Sequence, residues 1–342
     1  MSAAQTLLSL KDGEQIQFKS YGNYAHLDNA PRVDNLRVTI LDERDGFAHT
    51  IGTPLAHVSP VSATHMWKRY CSLSQMRRPD VKFPQANNHL NYMVVSTGSI
   101  REWPVAPRAS NFAGHVKDAC SFSQKIEAAQ MLGVVVVGGG AVGVEFAGKV
   151  KARYPRTDVT LIHSRGQLLS KEPLPDEFKA RTLHLLLEEG VRQVRLTSGG
   201  HIHAGLVISA VTSVTPSTSF LPPAVLAADG SGDLALSNCV FAAGDIVDKP
   251  GIRLGGSAMI MGCVAAANIY SSILVLEPGA LLVLEDCPEI RPHMALSIGT
   301  NIVCYAGDNG AIQYGKALAQ SFFGGDLGWQ RVLENLGLGS ST

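Results

Sequence analysis

Three glycines in the middle of the chain have the types and spacing of a phosphate-binding turn. The stretch VVVVGGGAVGVEFAG, residues 134–148, places Gly138, Gly140 and Gly143 in the pattern Gly-x-Gly-x-x-Gly. The first glycine permits a tight turn, the second lets the backbone approach a pyrophosphate, and the third lets a helix lie close to a strand. The start of that helix offers N–H groups and a positive dipole end to phosphate oxygens. The pattern predicts a dinucleotide site, and a glycine turn that serves packing alone is the alternative.

The residues after the next predicted strand bear on which dinucleotide binds. An acid usually holds the ribose 2′-hydroxyl of NAD at this place, but the chain has His163 there, followed by Ser164 and Arg165. No carboxylate repels a 2′-phosphate, and Arg165 could pair with one, which favours NADPH over NADH. His163 either contacts the cofactor or caps the strand end, and the sequence leaves both open.

Glu145 is the candidate catalytic residue. It lies in the first turn of the helix that follows the glycines, where the helix dipole favours a negative side chain. Helix electrostatics alone would explain a glutamate here. A position beside the nicotinamide, near a flavin, is the functional interpretation.

Composition limits the class of protein. A length of 342 residues suggests two domains or three small ones. A formal net charge of zero argues against a nucleic-acid partner bound through phosphate neutralisation. Six cysteines occur without a C-x-x-C pair, so we expect reduced thiols in a cytoplasmic protein and no dithiol redox motif. Mitochondrial association stays open, and no targeting signal is seen.

Neither a metal site nor a membrane span is predicted. His201-x-His203 has no third ligand at a suitable spacing. The apolar run 271–285 is interrupted by Glu277, Pro278 and a glycine, which is too broken for a transmembrane helix.

Apolar runs and helical patterns alternate along the chain. Continuous apolar runs bounded by Gly or Ser are typical of parallel strands covered on both faces. Predicted strands are residues 36–47, 92–99, 133–140, 157–165, 206–213 and 239–245, and predicted helices are 141–154, 176–190 and 256–274. This order indicates an α/β protein with parallel sheets.

Five blocks of the sequence together resemble one family. They are VTILDERDGFAHTIGTPLA, VVVVGGGAVGVEFAG, VTLIHSRGQLLSKEPLPDEFK, FAAGDIV and SFFGGDLGWQRVLENLGLG. In combination they are similar to fungal proteins related to apoptosis-inducing factor. That group includes the ferroptosis-suppressor type of flavin-dependent NAD(P)H:quinone oxidoreductase.

The resemblance implies two interleaved Rossmann-like dinucleotide-binding domains, with an NAD(P)H domain inserted into an FAD domain. The implied division is 1–110 for the first part of the FAD domain, 111–228 for the NAD(P)H domain, 229–275 for the second FAD part and 276–342 for a C-terminal segment. Residues 1–35 contain no Gly-x-Gly-x-x-Gly motif, so the first domain is expected to be truncated.

The resemblance also assigns residues to the FAD site. They are Asp42 (with Glu43 as the alternative), Thr97, Gly98, Gly244 and Asp245. Asp42 would hold the adenosine ribose, and Asp245 would contact the ribityl chain. Thr97 and Gly98 match the turn where the chain crosses between domains, and Glu145 matches the glutamate that follows the second glycine motif.

The function implied is an FAD-dependent oxidoreductase. It would pass hydride from NAD(P)H through the flavin to a quinone or another small aromatic acceptor, with secondary metabolism as one setting. The alternative is a non-redox nucleotide-binding or regulatory protein that has lost FAD. An unpaired sheet edge where the first strand is missing would favour association, so a homodimer is an alternative to a monomer.

Overall fold

The computed structural model describes residues 1–83, 90–194, 201–211, 215–223, 226, 239–248, 251–275, 282–307 and 310–339. The α-helices in these ranges are Ser2–Asp12 (α1), Thr53–Val58 (α2), Pro60–His65 (α3), Phe112–Ala128 (α4), Ala141–Arg153 (α5), Asp176–Glu188 (α6), Gly255–Leu274 (α7), Lys316–Phe323 (α8) and Trp329–Asn335 (α9). The strands are Val38–Thr39 (β1), Gly46–Ala48 (β2), Trp67–Arg69 (β3), Val81–Lys82 (β4), Met93–Val95 (β5), Ser99–Ile100 (β6), Val134–Val137 (β7), Val159–Ile162 (β8), Arg192–Val194 (β9), Leu206–Ser209 (β10), Thr215–Pro216 (β11), Val240–Ala242 (β12), Met294–Ile298 (β13), Asn301–Tyr305 (β14) and Ile312–Tyr314 (β15).

The middle of the chain forms a four-stranded parallel sheet in the order β10-β7-β8-β9. The valines of β7 are buried because helices supply apolar side chains to the same core: Phe122 from α4, Phe146 from α5 and Phe178 from α6. A continuous run of β-branched residues is stable as a strand when both of its faces are covered. The predicted strand–turn–helix unit around the glycines is therefore confirmed.

The flanking region is built from two separate parallel strand pairs. β1 pairs with β4, and β5 pairs with β12. The chain leaves this region after β5 and returns to it at β12, so the four-stranded unit is an insertion. Among the described strands, β1 pairs with β4 alone and β12 with β5 alone. The truncation of the first domain stays a prediction.

Helix α1 is an element that the sequence analysis does not predict. Ala4, Leu7 and Leu8 follow the spacing of a buried helical face, and each is at most 9% exposed. The helix ends at Gly13, whose φ of 77° gives the left-handed cap. α1 packs against α7 so closely that a Cβ on Gly262 would lie 3.1 Å from the backbone nitrogen of Ala3.

Helix α7 is long and apolar enough to cross a bilayer by length and composition, the single such helix in the part of the chain that the structure describes. Two-thirds of its apolar window, 67%, is buried within the fold. Cys263, Ala266 and Tyr270 on this helix are completely buried against α1 and the first strand pairs. That burial is typical of a core helix.

The C-terminal segment contacts both units. The antiparallel sheet β13-β14-β15 packs its Leu296 and Ile298 into the core of the four-stranded unit. Trp329 and Leu333 of α9 belong instead to the core around α1 and α7. The segment therefore links the two units through two different hydrophobic cores.

The predicted domain boundaries stay predictions. The boundary at 110/111 coincides with the start of α4, where the Asn111 side chain accepts a hydrogen bond from the amide of Gly114 at 2.8 Å. The boundary at 228/229 and the start of the C-terminal segment at 276 lie outside the described residues. The single strand predicted over 36–47 is wrong, because β1 ends at Thr39 and β2 begins at Gly46.

Candidate functional site

Two of the three predicted glycines are required by the turn itself. Gly138 has a φ of +119°, and a Cβ on it would lie 2.7 Å from the carbonyl oxygen of Ala210 on the neighbouring strand's extension. A Cβ on Gly143 would lie 1.8 Å from the carbonyl oxygen of Gly138. Helix α5 can approach the end of β7 only because both positions lack a side chain.

Gly140 differs from these two, because its missing side chain leaves open space. Among the described residues other than its chain neighbours, the single heavy atom within 4 Å of a Cβ placed there is Glu172 Oε1, at 3.9 Å. Gly140 is also the N-cap of α5, and no side chain caps the helix start. An open space against uncapped helix N–H groups fits the diphosphate of NAD(P)H.

The segment after β8 places Arg165 at the surface. Its side chain is exposed, and it has no ion-pair partner within the described parts of the chain. The guanidinium is therefore available to a 2′-phosphate, as the sequence predicts. His163 differs, because both of its ring nitrogens are engaged by the protein: Nδ1 by the amide of Gly139 and Nε2 by the carbonyl of Gln167.

Glu145 is buried between α5 and the β13–β14 hairpin. Its side chain is 7% exposed, and Oε1 accepts a hydrogen bond from the amide of Ser297 at 3.3 Å. Burial raises the pKa of Glu145 to about 7, although the Ser297 amide and the nearby Lys149 ammonium oppose the shift. A carboxyl group with this pKa can hold or release a proton near neutral pH.

Lys149 is a residue that the sequence analysis missed. Its Nζ donates to the carbonyl oxygen of Gly299 at 2.8 Å, in the turn of the same hairpin. Burial lowers the pKa of Lys149, and the carboxyl groups of Glu145 and Glu189 oppose that shift. The i,i+4 spacing from Glu145 was the available signal, since such pairs face each other on a helix.

Asp42 lies just after β1, where a parallel strand pair presents its carboxyl ends. Its carboxylate accepts hydrogen bonds from the backbone amide of Arg44 at 3.0 Å and from the Tyr70 hydroxyl at 2.5 Å. Burial, together with this bond, raises the pKa of Tyr70. Asp42 is therefore placed at a strand end that suits a ribose, with its carboxylate already bonded within the protein.

Thr97 and Gly98 follow β5 and hold the returning chain. Thr97 Oγ1 donates to the carbonyl oxygen of Ser217 at 2.8 Å, and the Ser217 amide donates to the carbonyl oxygen of Gly98 at 2.9 Å. Gly98 has a φ of +70°, and no heavy atom lies within 4 Å of a Cβ placed on it. These bonds join the segment after β5 to the segment around Ser217, and the role of the pair as the crossing between domains stays a prediction.

Gly244 and Asp245 follow β12, next to this crossing. The Asp245 carboxylate forms an ion pair with Arg101 at 2.9 Å, and Arg253 Nη1 donates to the Asp245 carbonyl oxygen. Ser99 Oγ donates to the same carbonyl oxygen at 3.2 Å. Sequence spacing could not have identified Arg101, which is 144 positions from Asp245, whereas Arg253 lies only 8 positions further along the chain.

The FAD-assigned residues thus gather at the carboxyl ends of β1, β5 and β12, where open α/β sheets bind their ligands. They fit the sugar portions of a flavin dinucleotide through Asp42 and Asp245. Within the described ranges no strand beside β1 is followed by a glycine turn. The residues present therefore supply no backbone cradle for the diphosphate of the flavin dinucleotide. No group of three His, Cys, Asp or Glu side chains that could hold a metal occurs in the same ranges.

The four-stranded parallel sheet has a glycine turn at the start of a helix. It is inserted between β5 and β12, which pair with each other in a second parallel unit. This arrangement defines a two-domain dinucleotide-binding protein. Residues 77–262 match the family described as pyridine nucleotide-disulphide oxidoreductase. The chain belongs to this family of oxidoreductases, whose cofactors are FAD and NAD(P)H. The α/β fold and the relationship to the ferroptosis-suppressor group predicted from the sequence are confirmed.

Named relatives cover the chain to different extents. Oxidoreductase OXR1 of Ajellomyces capsulatus is 33% identical over all of this chain and 86% of its own length. Ferroptosis suppressor protein 1 of Homo sapiens is 28% identical over 44% of this chain, which spans half of that relative. The solved structure of NDH2 from Plasmodium falciparum in complex with NADH has the same fold, with a TM-score of 0.64, 12% identity, and coverage of 88% of this chain and 90% of that one.

Proposed function

We propose that this protein is an NAD(P)H-dependent flavin oxidoreductase that delivers electrons to a quinone or another small aromatic acceptor, with secondary metabolism as one setting. The observation that carries the proposal is the open space at Gly140, bounded by Gly138 and Gly143 in tight packing. The flavin, when bound, accepts hydride from the nicotinamide and passes electrons on, while the protein supplies position and electrostatics.

Three side chains have roles in this proposal. Arg165, exposed beyond the end of β8, binds the 2′-phosphate and makes NADPH the preferred donor. Glu145 is the catalytic residue, since a buried carboxyl group with a pKa of about 7 can exchange a proton at neutral pH. Asp245, with its carboxylate oriented by Arg101, binds the ribityl chain.

The test of the nucleotide site is a substitution that fills the open space without disturbing the fold. Gly140→Ala places a Cβ 3.9 Å from Glu172 Oε1 and within 4 Å of no other described heavy atom outside the adjacent residues, so the melting temperature falls only by the small cost of alanine at an N-cap. The same methyl group collides with a bound diphosphate, so the Kd for NADPH measured by calorimetry rises by at least about tenfold. Gly325→Ala, which also meets nothing within 4 Å, is the control and binds like the wild type. Unchanged affinity in Gly140→Ala contradicts the proposal.

A second candidate function is nucleotide binding without flavin chemistry. It is favoured by the missing diphosphate cradle and by the bonds that already occupy the carboxylates of Asp42 and Asp245. Purified protein that is yellow and releases FAD on denaturation supports the oxidoreductase. Colourless protein that binds NADPH but gains no flavin on incubation with FAD supports the alternative.

We extend the proposal to organisation and location. The division at 110/111, 228/229 and 275/276 is supported by the pairing of β5 with β12 across the inserted unit. A cytoplasmic location is supported by the cysteines, which form no disulfide within the described residues. The second edge of β1 pairs with no described strand, which supports a homodimer. Sedimentation equilibrium tests this directly, and a monomer at all concentrations contradicts it.

A further inference from the structure

His163 is bonded to the glycine turn in a way that defines its protonation. The amide of Gly139 lies 3.2 Å from His163 Nδ1, and the carbonyl oxygen of Gln167 lies 3.0 Å from Nε2. A backbone amide can only donate, and a carbonyl can only accept. Nδ1 is therefore the unprotonated acceptor, and Nε2 carries the hydrogen.

The imidazole also lies directly on the turn. A Cβ on Gly139 would be 2.6 Å from His163 Cγ and 2.8 Å from a methyl carbon of Leu168, so the ring can approach only a glycine. The carbonyl oxygen of Gly139 accepts a hydrogen bond from the amide of Leu169 at 2.8 Å. Both backbone groups of Gly139 are thus held from the β8 side of the site.

This arrangement leaves the opposite side of the turn free. Gly139 is the middle residue of Gly138-Gly139-Gly140, and the residue after it has the open space described above. The Gly139 carbonyl and the Gly140 amide belong to one planar peptide, so the bond from the Leu169 amide sets the direction of the Gly140 N–H. The Gly139 amide belongs to the preceding peptide, whose plane is held by His163 Nδ1. Together the two bonds restrict rotation about the φ and ψ of Gly139, and so restrict where the amides at the start of α5 point.

We infer that His163 is a positioning residue for the dinucleotide site. Its Nδ1 holds the peptide between Gly138 and Gly139, and with the Leu169 bond to the next peptide it keeps the turn in the conformation in which the N–H groups at the start of α5 face the diphosphate. The inference rests on the proposed nucleotide site at Gly140. It also follows that the imidazole is committed to the turn and does not read the ribose, which leaves donor selection to Arg165.

Two substitutions test the roles of the two ring nitrogens individually. In His163→Asn the side-chain oxygen occupies the place of Nδ1 and can still accept from the Gly139 amide. In His163→Gln the amide group reaches the place of Nε2 instead, and the acceptor at Nδ1 is lost. Glutamine is nearer to histidine in volume, so a role in packing alone predicts that glutamine is the better replacement. A positioning role predicts the reverse order.

The measurement is the Kd for NADPH by calorimetry, with melting temperature as the check on folding. His163→Asn binds within about threefold of the wild type, whereas His163→Gln and His163→Ala bind about tenfold more weakly, the effect of losing one hydrogen bond. The controls are His184→Asn and His184→Gln on the exposed face of α6, where His184 pairs with Glu188; both bind like the wild type.

A spectroscopic readout checks the same bond without a substitution. Long-range ¹⁵N–¹H correlation spectra of the wild type show His163 as the Nε2–H tautomer, identified by the signal that His163→Asn lacks. The Nδ1–H tautomer, or equal affinities for the asparagine and glutamine variants, overturns the inference while the site at Gly140 stands. Absence of NADPH binding by the wild type overturns the proposed function itself.

Discussion

At the scale of single residues, burial raises the pKa of Glu145 and so gives an ordinary helix glutamate the ability to exchange a proton near neutral pH. Glu145 is the fifth residue of α5, so it lies past the first turn in which the sequence analysis placed it, and an exposed glutamate would stay ionised at neutral pH. The β13–β14 hairpin covers this one, and burial raises its pKa to about 7. The proton that it holds at neutral pH is a consequence of a contact with residues about 150 positions away.

Glu145→Gln should stabilise the protein at alkaline pH. The unfolded chain loses the Glu145 proton near the ordinary pKa of 4.5, whereas the folded protein keeps it until about pH 7. Wild-type stability therefore falls as pH rises from 4.5 to 7, and the loss is constant above that range. The amide has no proton to lose, so we expect Glu145→Gln to be more stable at pH 8 by about 3 kcal/mol.

Urea unfolding at pH 5 and pH 8 measures this effect. Glu177→Gln on the exposed first turn of α6 is the control and should leave the pH dependence unchanged. Equal stability of the Glu145→Gln variant and the wild type at pH 8 would mean that folding does not raise the pKa of Glu145.

Arg165→Ala should discriminate between the two reduced nucleotides. The exposed guanidinium has no partner within the described residues, so its removal leaves the fold intact. We expect the Kd for NADPH to rise by at least about tenfold, since charge-assisted hydrogen bonds to phosphate are the strong ones, while the Kd for NADH changes little. Arg156→Ala, another exposed arginine, serves as the control. Equal losses of affinity for NADH and NADPH would mean that Arg165 does not bind the 2′-phosphate.

At the scale of elements, the glycine turn combines two separable functions. Gly138 and Gly143 allow α5 to approach β7 and β10, and Gly140 leaves room for a ligand. The hairpin makes a similar approach on the far side of the helix, where a Cβ on Gly148 would lie 2.5 Å from the amide nitrogen of Gly299. Helix α5 is thus held between the sheet and the hairpin by positions that have no side chain.

We therefore expect Gly143→Ala to lower the free energy of unfolding, whereas Gly140→Ala weakens nucleotide binding. A Cβ at 1.8 Å from the Gly138 carbonyl oxygen cannot be accommodated unless α5 moves away from the sheet. We expect a loss of at least about 2 kcal/mol in the free energy of unfolding, as for other overpacked sites, measured by urea unfolding. A Gly143→Ala protein as stable as Gly140→Ala would show that the helix is free to shift.

At the scale of the whole molecule, the C-terminal segment connects the two units, together with α2, whose Val58 also packs into the core of the four-stranded unit. Trp329 of α9 is 3% exposed, and its ring lies 5.3 Å from Phe47 and 4.9 Å from His49, measured between ring centroids. His49 Nε2 lies 3.1 Å from the carbonyl oxygen of Leu327, just before α9. These contacts join the end of the chain to its first part.

Trp329→Ala should weaken this connection. Replacing a buried tryptophan by alanine costs about 3–5 kcal/mol, and the loss falls on the part of the core that holds α9 against β2. Urea unfolding followed by far-ultraviolet circular dichroism measures it. Phe322→Ala on α8, where the side chain is 38% exposed, is the control and should cost less than about 1 kcal/mol. Similar losses in both variants would show that α9 contributes no special stability.

Local patterns in the chain were enough to identify the inserted unit. The valine run, the three glycines and the small-residue helix specify a strand, a turn and a helix from neighbouring residues alone, and the structure has all three. The same patterns located α6 and α7, because periodicity and helix-ending residues act over a few positions. They missed α1, because the apolar face of this helix is buried only by its packing against α7.

The chemistry of individual side chains depended on tertiary contacts. The raised pKa of Glu145 needs the hairpin, and the pairing of Asp245 with Arg101 joins residues 144 positions apart. His163 was left between two interpretations by the sequence, and the approach of the Gly139 amide to Nδ1 favours the one in which it caps the turn. Neighbours in the chain set the backbone conformation, whereas ionisation and hydrogen-bond partners are set by groups that only folding brings within a few ångströms.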